Sequence, residues 1–290
     1  MEVVKSIINF DSRILKCVQR SSSGDLIETG FYLEEEEIIC LSTQFSCPMR
    51  CIFCSSTSTQ ESTLSRNISS KEIVEQAKNV LNSISELCER PILFSFMGIG
   101  EPFLNYDNLV LSIKQLTSEY PQSRVTISTI GNNPELIKKL AEEKLDVKVN
   151  LHLSLHAPNE QLRKKILPFA GNIDSALNAL SYFAEKKKVI PKINYVLIKD
   201  LNDSIECAHE LAELIKGKGF VVKLSELNEC NGLEKSPEER IARFEEILAK
   251  EDISTTRFVS TGKIESAGCG QLKNTCTTGM KNQGRAHAKE

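Results

Sequence analysis

Hydrophobic positions along the chain recur with two spacings, one typical of strands and one typical of helices. Near the N-terminus, residues 13–19 and 26–33 flank a polar turn at 21–25, and this pattern predicts a β-hairpin. From residue 38 onward the two spacings alternate. They predict strands over 38–44, 92–97, 124–129, 147–155, 192–198, 220–227 and 255–259. The helices predicted between them cover 69–84, 107–119, 135–143, 174–187, 204–217 and 237–250.

This alternation is typical of an α/β fold with parallel strands and right-handed crossovers. About six strand–helix units are expected, which suits a partial (βα)6 barrel preceded by the short β-hairpin. We therefore expect three segments: the N-terminal β-hairpin over 1–37, the barrel core over 38–272 and a flexible basic C-terminal tail over 273–290. In such barrels the active site lies at the carboxyl ends of the strands, so chemistry-bearing residues are expected there.

The strand at 147–155 has two different faces. One is apolar throughout, whereas the other carries Lys148, Asn150, His152 and Ser154, with His156 just beyond. A parallel strand that is buried on both sides should be apolar on both. The polar face therefore indicates either a wet or ligand-filled interior or an edge strand with one solvated face.

Composition narrows the range of functions. The 290 residues are 40% hydrophobic and carry a net charge of −3, with a pI near 6.0, which excludes a chain-wide basic field for nucleic acid. Basic clusters at 163–165, 186–188 and 273–289 are interpreted as solvated faces. No apolar run approaches the ~20 residues of a membrane span, and the first residues do not resemble a secretory signal. These features predict a cytoplasmic protein with no membrane partner.

Ten cysteines are many for a chain expected in a reducing compartment. Cys47, Cys51 and Cys54 follow the first core strand with the spacing C-x3-C-x2-C. A structural zinc site needs four ligands, whereas three thiolates suit a [4Fe–4S] cluster with one iron free for another molecule. Zinc binding or a chance arrangement stays an alternative. The isolated cysteines are expected to be small buried residues: Cys17, Cys88, Cys207 and Cys230.

Polar and glycine residues follow several predicted strands. Gly100 and Glu101 come after the strand at 92–97, where a glycine lets the backbone approach a ligand and a carboxylate can accept from an ammonium. The other candidates at strand ends are Ser128, Ser154, His156 and Asn228. Each is a weak signal alone, but their shared placement predicts one ligand site at the carboxyl ends.

These motifs resemble those of a known superfamily. The three-cysteine loop is similar to that of radical S-adenosylmethionine (SAM) enzymes. The segments MGIGEP, STIG, SLHAPN and AGCGQL resemble the RlmN/Cfr family within it, and the resemblance runs from about residue 13 to residue 272. It implies a radical SAM barrel with one [4Fe–4S] cluster on Cys47, Cys51 and Cys54. It also implies two SAM molecules per turnover, bound by Gly100, Glu101, Ser128, Ser154, His156 and Asn228.

The resemblance further implies the chemistry. Enzymes of this family methylate a ring carbon of adenine in RNA, and here C2 is expected rather than C8, in 23S rRNA, tRNA or both. Cys269 matches the thiol that carries the methyl group, a form of covalent catalysis. Cys40 matches the second thiol, whose attack on Cys269 releases the product and leaves a disulfide between the two cysteines. Glu28 matches the general base.

The implied partners are an RNA substrate and an electron donor such as flavodoxin or ferredoxin, and the protein is expected to be a monomer. Only 39 residues precede Cys40, so the chain is expected to be a short member without the usual N-terminal domain. Two alternatives stay open. One is a radical SAM enzyme acting on a protein, peptide or small molecule, and the other is a non-catalytic metal-binding or redox-sensing module.

Overall fold

The computed structural model describes residues 1–9, 14–33, 36–56, 66–84, 90–228 and 230–258. The strands in these residues are β1 (Glu2–Asn9), β2 (Ile14–Arg20), β3 (Leu26–Leu33), β4 (Glu37–Cys40), β5 (Ile92–Phe96), β6 (Arg124–Thr129), β7 (Val149–Ser154), β8 (Lys192–Leu197), β9 (Val221–Glu226) and β10 (Thr255–Phe258). The helices are α1 (Ser70–Ser83), α2 (Tyr106–Glu119), α3 (Pro134–Glu142), α4 (Glu160–Ile166), α5 (Ile173–Lys187), α6 (Ile205–Ile215) and α7 (Glu238–Lys250), with a short 3-10 helix over Pro102–Asn105. The predicted α/β class is confirmed.

The described residues divide into two compact units, one comprising 1–48 and 54–125, the other 49–53 and 126–258. The first unit has the strand order β1-β2-β3-β4-β5, antiparallel up to β4, and parallel between β4 and β5. The predicted hairpin is present, but β1 adds a third strand that was not predicted. The domain boundaries expected from the sequence stay a prediction.

Helix α1 covers one face of the first unit's strands. It begins with the predicted capping box, in which the Ser69 side chain accepts from Glu72 N and the Glu72 carboxylate accepts from Ser69 N. Its fully buried Gln76 accepts from the Thr29 hydroxyl at 3.2 Å and donates to the carbonyl oxygen of Ser42 at 3.0 Å. Thr29 therefore faces α1. Its neighbours Glu28 and Gly30 lie on the opposite, helix-free face, because side chains alternate along a strand.

The second unit has the strand order β6-β7-β8-β9-β10, with parallel pairing from β7 to β10. Helices pack on one face of these strands, where the Tyr195 ring lies 5.2 Å from the Phe244 ring of α7. Because β7 lies between β6 and β8, the interpretation as an edge strand is wrong. The apolar Leu151 and Leu153 are fully buried, and the other face carries the nearly buried His152.

The structure also corrects two details of the second unit. Helix α4 was not predicted, because it is short and rich in charge. His156 does not continue the alternation of β7, since it follows the strand with a φ of 57°. In the part of the chain that the structure describes, no helix is long and apolar enough to cross a membrane.

Candidate active site

The first unit carries a buried ion pair on its helix-free face. Lys16 Nζ donates to Glu28 Oε1 at 2.9 Å, and their side chains are only 1% and 7% exposed. The strand register aligns Lys16 with Gly30, and Gly30 with Cys40, so all these residues share one face. Gly30 has no side chain, and the Tyr32 ring occupies that space, with Cε2 2.7 Å from where a Cβ would lie. The sequence-predicted Glu28 and Cys40 are thus brought to one face.

The thiol of Cys40 is held in its protonated form. Burial raises its pKa to about 11, the Lys16 ammonium acts in the opposite direction, and the Glu28 carboxylate raises it further. A hydrogen bond with the Met97 backbone favours the thiolate slightly. Cys40 therefore needs help to lose its proton before it can act as a nucleophile.

Lys16 was missed by the sequence analysis, although it is in direct contact with a predicted residue. One signal was available, because Lys16 is the only charged residue in the run Ile14–Val18, whose other members are apolar. A charge at the centre of a strand that is buried on both sides needs a partner. The antiparallel register of the hairpin supplies Glu28.

Ser42 connects this face to the glycine segment after β5. Its hydroxyl donates to the Glu28 carbonyl oxygen at 2.7 Å and accepts from Ile99 N at 3.0 Å. A Cβ on Gly98 would lie 2.7 Å from the Leu41 carbonyl oxygen. Gly100 has a φ of 115°, and a Cβ there would lie 2.6 Å from Thr43 Oγ1. Only glycine fits these two positions without strain.

Glu101 ends the glycine segment and is itself held in place. It is 3% exposed, its N–H donates to Gln44 Oε1 at 2.9 Å, and its carboxylate accepts from Phe103 N at 3.3 Å. The carboxylate therefore caps the 3-10 helix. The segment predicted to bind SAM is a rigid stretch of closely packed backbone with a fixed negative charge at its end.

The three predicted cluster ligands lie on one loop and form no disulfide. Cys47, Cys51 and Cys54 are each half-buried, and none is part of a disulfide. Among the described residues, no group of three Cys, His, Asp or Glu side chains is preassembled as a metal site. The donor set nevertheless fits a [4Fe–4S] cluster, because three unoxidised, accessible sulfurs lie on one short loop.

In the second unit, Ser128 and Ser154 meet on the helix-free face. Their hydroxyl oxygens are 3.2 Å apart, and Asn194 Nδ2 donates to Ser128 Oγ at 3.1 Å. Asn194 is 6% exposed, yet its Oδ1 has no hydrogen-bond partner among the residues that the structure describes. An orphaned buried acceptor is a place where a ligand donor would be expected. Asn194 was missed, although its register position beside Ser154 follows from the predicted parallel pairing.

His156 is buried and neutral. Its Nδ1 accepts from Val196 N at 2.9 Å, so the ring proton lies on Nε2. Burial, and to a smaller degree the charge of Arg163, lowers its pKa to about 3. Asn202 Nδ2 donates to its carbonyl oxygen at 2.8 Å, and the edge of its ring contacts Phe53 at a centroid distance of 4.7 Å.

The loop after β9 holds the cysteine segment by its backbone. The Cys230 thiol donates to the Phe53 carbonyl oxygen at 3.1 Å, and Asn231 Nδ2 donates to that of Ile52 at 2.8 Å. Cys230 is therefore not an isolated buried residue, and Cys207 is also half-buried, whereas Cys17 is fully buried as predicted. Asn228 is half-buried at the end of the same strand. Cys88, Cys269 and the tail 273–290 lie outside the described residues.

Comparisons with known proteins show what the chain is similar to. The sequence profile of the Radical SAM superfamily matches residues 41–215. A protein of Protochlamydia amoebophila named "Probable dual-specificity RNA methyltransferase RlmN 2" is 36% identical over 281 residues, which cover 94% of this chain and 77% of that protein. The chain belongs to the RlmN family of the radical SAM superfamily. The predicted membership is thus confirmed.

A second relative and a crystal structure support the assignment to this family. The "Ribosomal RNA large subunit methyltransferase N" of Nitrosopumilus maritimus is 34% identical over 93% of this chain and 80% of its own length. The crystal structure of a radical SAM methyltransferase from Sphaerobacter thermophilus has a TM-score of 0.86 and 31% identity, covering 93% of this chain and 80% of that one. This likeness supports the predicted partial barrel.

Membership of the radical SAM superfamily also determines the cofactors, a [4Fe–4S] cluster and SAM. The cysteine loop is the expected place for the cluster because its donor set fits. The assignment favours iron and sulfide over the zinc alternative. Which residues hold each cofactor stays a prediction.

Proposed function

We propose that the protein methylates a ring carbon of adenine in RNA, at C2 rather than C8. The observation that best supports this proposal is the buried Lys16–Glu28 pair on the same strand face as Cys40. This face supplies a base, Glu28, and a thiol, Cys40. The relatives are named as RNA methyltransferases, one of them for large-subunit ribosomal RNA. This proposal is favoured over a protein, peptide or small-molecule substrate, since no relative named above carries such a description.

The residues divide the reaction between them. When bound at Cys47, Cys51 and Cys54, the cluster and SAM together supply radical chemistry that no side chain can perform. The backbone at Gly100 would lie close to SAM, and the Glu101 carboxylate would accept a hydrogen bond from its ammonium group. On the second unit, the remaining positions proposed for SAM are Ser128, Ser154, His156 and Asn228, together with the orphaned acceptor of Asn194.

Cys269 would carry the methyl carbon, so that RNA becomes joined to its sulfur through that carbon. Glu28 would take the proton from the adenine ring carbon. One electron must also leave the adduct before the ring is aromatic again, and the oxidised cluster would be its acceptor. Cys40 would then attack the Cys269 sulfur. The bond between sulfur and carbon breaks, the released carbon takes up a proton to become the methyl group, and a disulfide remains.

Lys16 has a defined part in this scheme. Its ammonium balances the charge of the Glu28 carboxylate in a site with little water, and it also favours the thiolate of Cys40. Both effects keep the release step possible although burial opposes charged forms. The electron donor of the flavodoxin or ferredoxin type, the monomeric state and the cytoplasmic location stay predictions.

The test uses anaerobically reconstituted protein with SAM, dithionite and either transcribed tRNA or 23S rRNA fragments. Nucleoside mass spectrometry should detect 2-methyladenosine, and Cys40→Ala should accumulate RNA joined to protein. Cys207→Ala, at a half-buried thiol on α6, is the matched control and should turn over normally. Formation of 5′-deoxyadenosine without methyladenosine from any RNA would favour the non-RNA alternative. Absence of both products would contradict the enzyme assignment itself.

A further inference from the structure

Arg163 is the largest fully buried side chain of the described residues, with 1% of its surface exposed. It lies in α4 within a basic cluster, and its neighbours Lys164 and Lys165 are exposed as the sequence analysis expected. The interpretation of this cluster as a solvated face is therefore wrong for Arg163. A guanidinium out of water is costly unless it is paired and hydrogen-bonded. The hydrogen-bond and electrostatic partners of Arg163 therefore indicate the role of its charge.

Within the described residues, every hydrogen bond of the Arg163 guanidinium goes to a backbone carbonyl oxygen. Nε donates to Leu155 at 3.2 Å, and Nη2 donates to Ile130 at 2.6 Å and to Ser154 at 3.4 Å. Nη1 donates to Gly171. The side chain thus ties together the loops that follow β6 and β7. Carbonyl dipoles satisfy its donors but do not neutralise its charge.

No carboxylate within the described parts of the chain forms an ion pair with Arg163. Glu160 interacts with it electrostatically, but Glu160 Oε1 accepts from Asn172 Nδ2 at 2.9 Å and from Ile173 N at 2.6 Å. That carboxylate is committed to the start of α5. The guanidinium remains a buried cation without a bonded counter-ion, although its pKa, lowered by burial to about 10, still leaves it charged at neutral pH.

The missing negative charge is expected on the cysteine segment. Ile52 N donates to the Ile166 carbonyl oxygen at 3.1 Å, which holds this segment against the end of α4. Cys51 is close enough to Arg163 for a direct electrostatic interaction. A thiolate that ligates iron carries negative charge permanently, and one-electron reduction of an iron–sulfur cluster adds to it.

We propose that Arg163 is the buried counter-charge of the cluster at Cys51, and that it raises the reduction potential of the cluster by stabilising its more negative, reduced form. The proposal rests on the cluster assigned to the superfamily and not on RNA as the substrate. Arg163 is a positioning residue in this role, since it acts on the ligand Cys51 and touches no reacting atom. Net charge near a cluster is one of the main determinants of its potential.

The test separates the charge of Arg163 from its hydrogen bonds. Arg163→Gln retains donors for the carbonyl oxygens but removes the charge, whereas Arg163→Lys retains a charge without the planar fork. Arg243→Gln is the matched control, because Arg243 is 51% exposed and paired with Glu246 on α7. Each protein is reconstituted anaerobically, its iron and sulfide are quantified, and the midpoint potential is measured by EPR-monitored redox titration without SAM or RNA.

Arg163→Gln should have a lower midpoint potential than the wild type, so that less than half of its cluster is reduced at the wild-type midpoint. Arg163→Lys and Arg243→Gln should stay close to the wild type. Equal potentials in all four proteins would overturn the proposal, and so would an equal decrease in the Gln and Lys variants of Arg163 at every pH tested. Because neither SAM nor RNA is present, these results are independent of whether methyladenosine is formed.

A second measurement covers the case in which Arg163→Gln does not retain iron. A buried lysine ammonium loses its proton far more readily than a guanidinium. The midpoint of Arg163→Lys should therefore fall as the pH is raised, relative to that of the wild type. Parallel pH profiles for the two proteins would contradict a role for the charge.

Discussion

The buried pair of Lys16 and Glu28 permits a quantitative test on stability. Lys16→Met removes the ammonium but keeps most of the side-chain volume, so the Glu28 carboxylate loses its partner at 2.9 Å. Removing one member of a buried ion pair costs about 3–5 kcal/mol. The two side chains are 1% and 7% exposed, so water gives little compensation. We expect a loss of about this size in the free energy of unfolding.

The double variant Lys16→Met/Glu28→Leu removes both charges. Replacement of a whole buried pair by apolar residues is often close to neutral, so we expect most of the lost stability to return. Urea unfolding followed by circular dichroism should give a coupling energy above roughly 2 kcal/mol for the four-protein cycle. The control is the exposed pair of Lys78 and Glu119, at 41% and 34% exposure, where coupling should stay below about 1 kcal/mol.

Activity should not return with stability. The double variant lacks the proposed base, so it should fold, form 5′-deoxyadenosine from SAM and accumulate RNA joined to Cys269 without release. A cost below about 1 kcal/mol for Lys16→Met would refute the reasoning about the buried pair. Normal release of methylated RNA by the double variant would instead refute the role of Glu28.

Three further predictions concern other parts of the site. Gly100→Ala should weaken SAM binding in equilibrium dialysis and cost about 1–3 kcal/mol of stability, because φ is 115° there. Unchanged binding would contradict the proposed role of Gly100 in holding SAM. The rate of Cys40 alkylation by iodoacetamide, measured by mass spectrometry, should rise about tenfold per pH unit up to pH 11. Glu28→Gln should increase this rate at pH 8, because the Glu28 carboxylate raises the pKa of the thiol. Burial lowers the pKa of His152 and of His156 to about 3. Between pH 3 and pH 6.5 the unfolded chain therefore binds more protons than the folded chain. In this range the free energy of unfolding should fall on acidification by up to about 1.4 kcal/mol per pH unit for each histidine. A flat stability profile between pH 4 and pH 6 would exclude neutral buried histidines.

Much of the fold follows from periodicity alone. The bounds of β6 coincide with the predicted strand at 124–129, and α1 begins directly after the predicted capping residue Ser69. Strand β1 was missed because its residues, EVVKSIIN, neither alternate strictly nor form an apolar run. Its stability comes from pairing with the next strand, β2, a cross-strand contact that the periodicity within one segment does not encode.

Site residues that belong to a sequence motif could be predicted, whereas residues that acquire their role through packing could not. Cys40 and Glu28 were found through a resemblance, but Lys16 acquires its role only through strand register. Arg163 shows the same limit, since a basic run gives no sign of which member turns inward. Asn194 became a candidate only once its orphaned Oδ1 could be seen. Burial and unsatisfied polar atoms are properties of the folded chain, and they identified these three residues.

The grip on the cysteine loop has a consequence for biosynthesis. The backbone oxygens of Phe53 and Ile52 are bonded by side chains 177 and 179 positions further along the chain. A ribosome must therefore extend the chain as far as Asn231 before both bonds can form. If this loop binds the cluster as proposed, an assembly factor that met the nascent chain earlier would find it without these two hydrogen bonds. Iron and sulfide are therefore expected to enter after translation has passed Asn231.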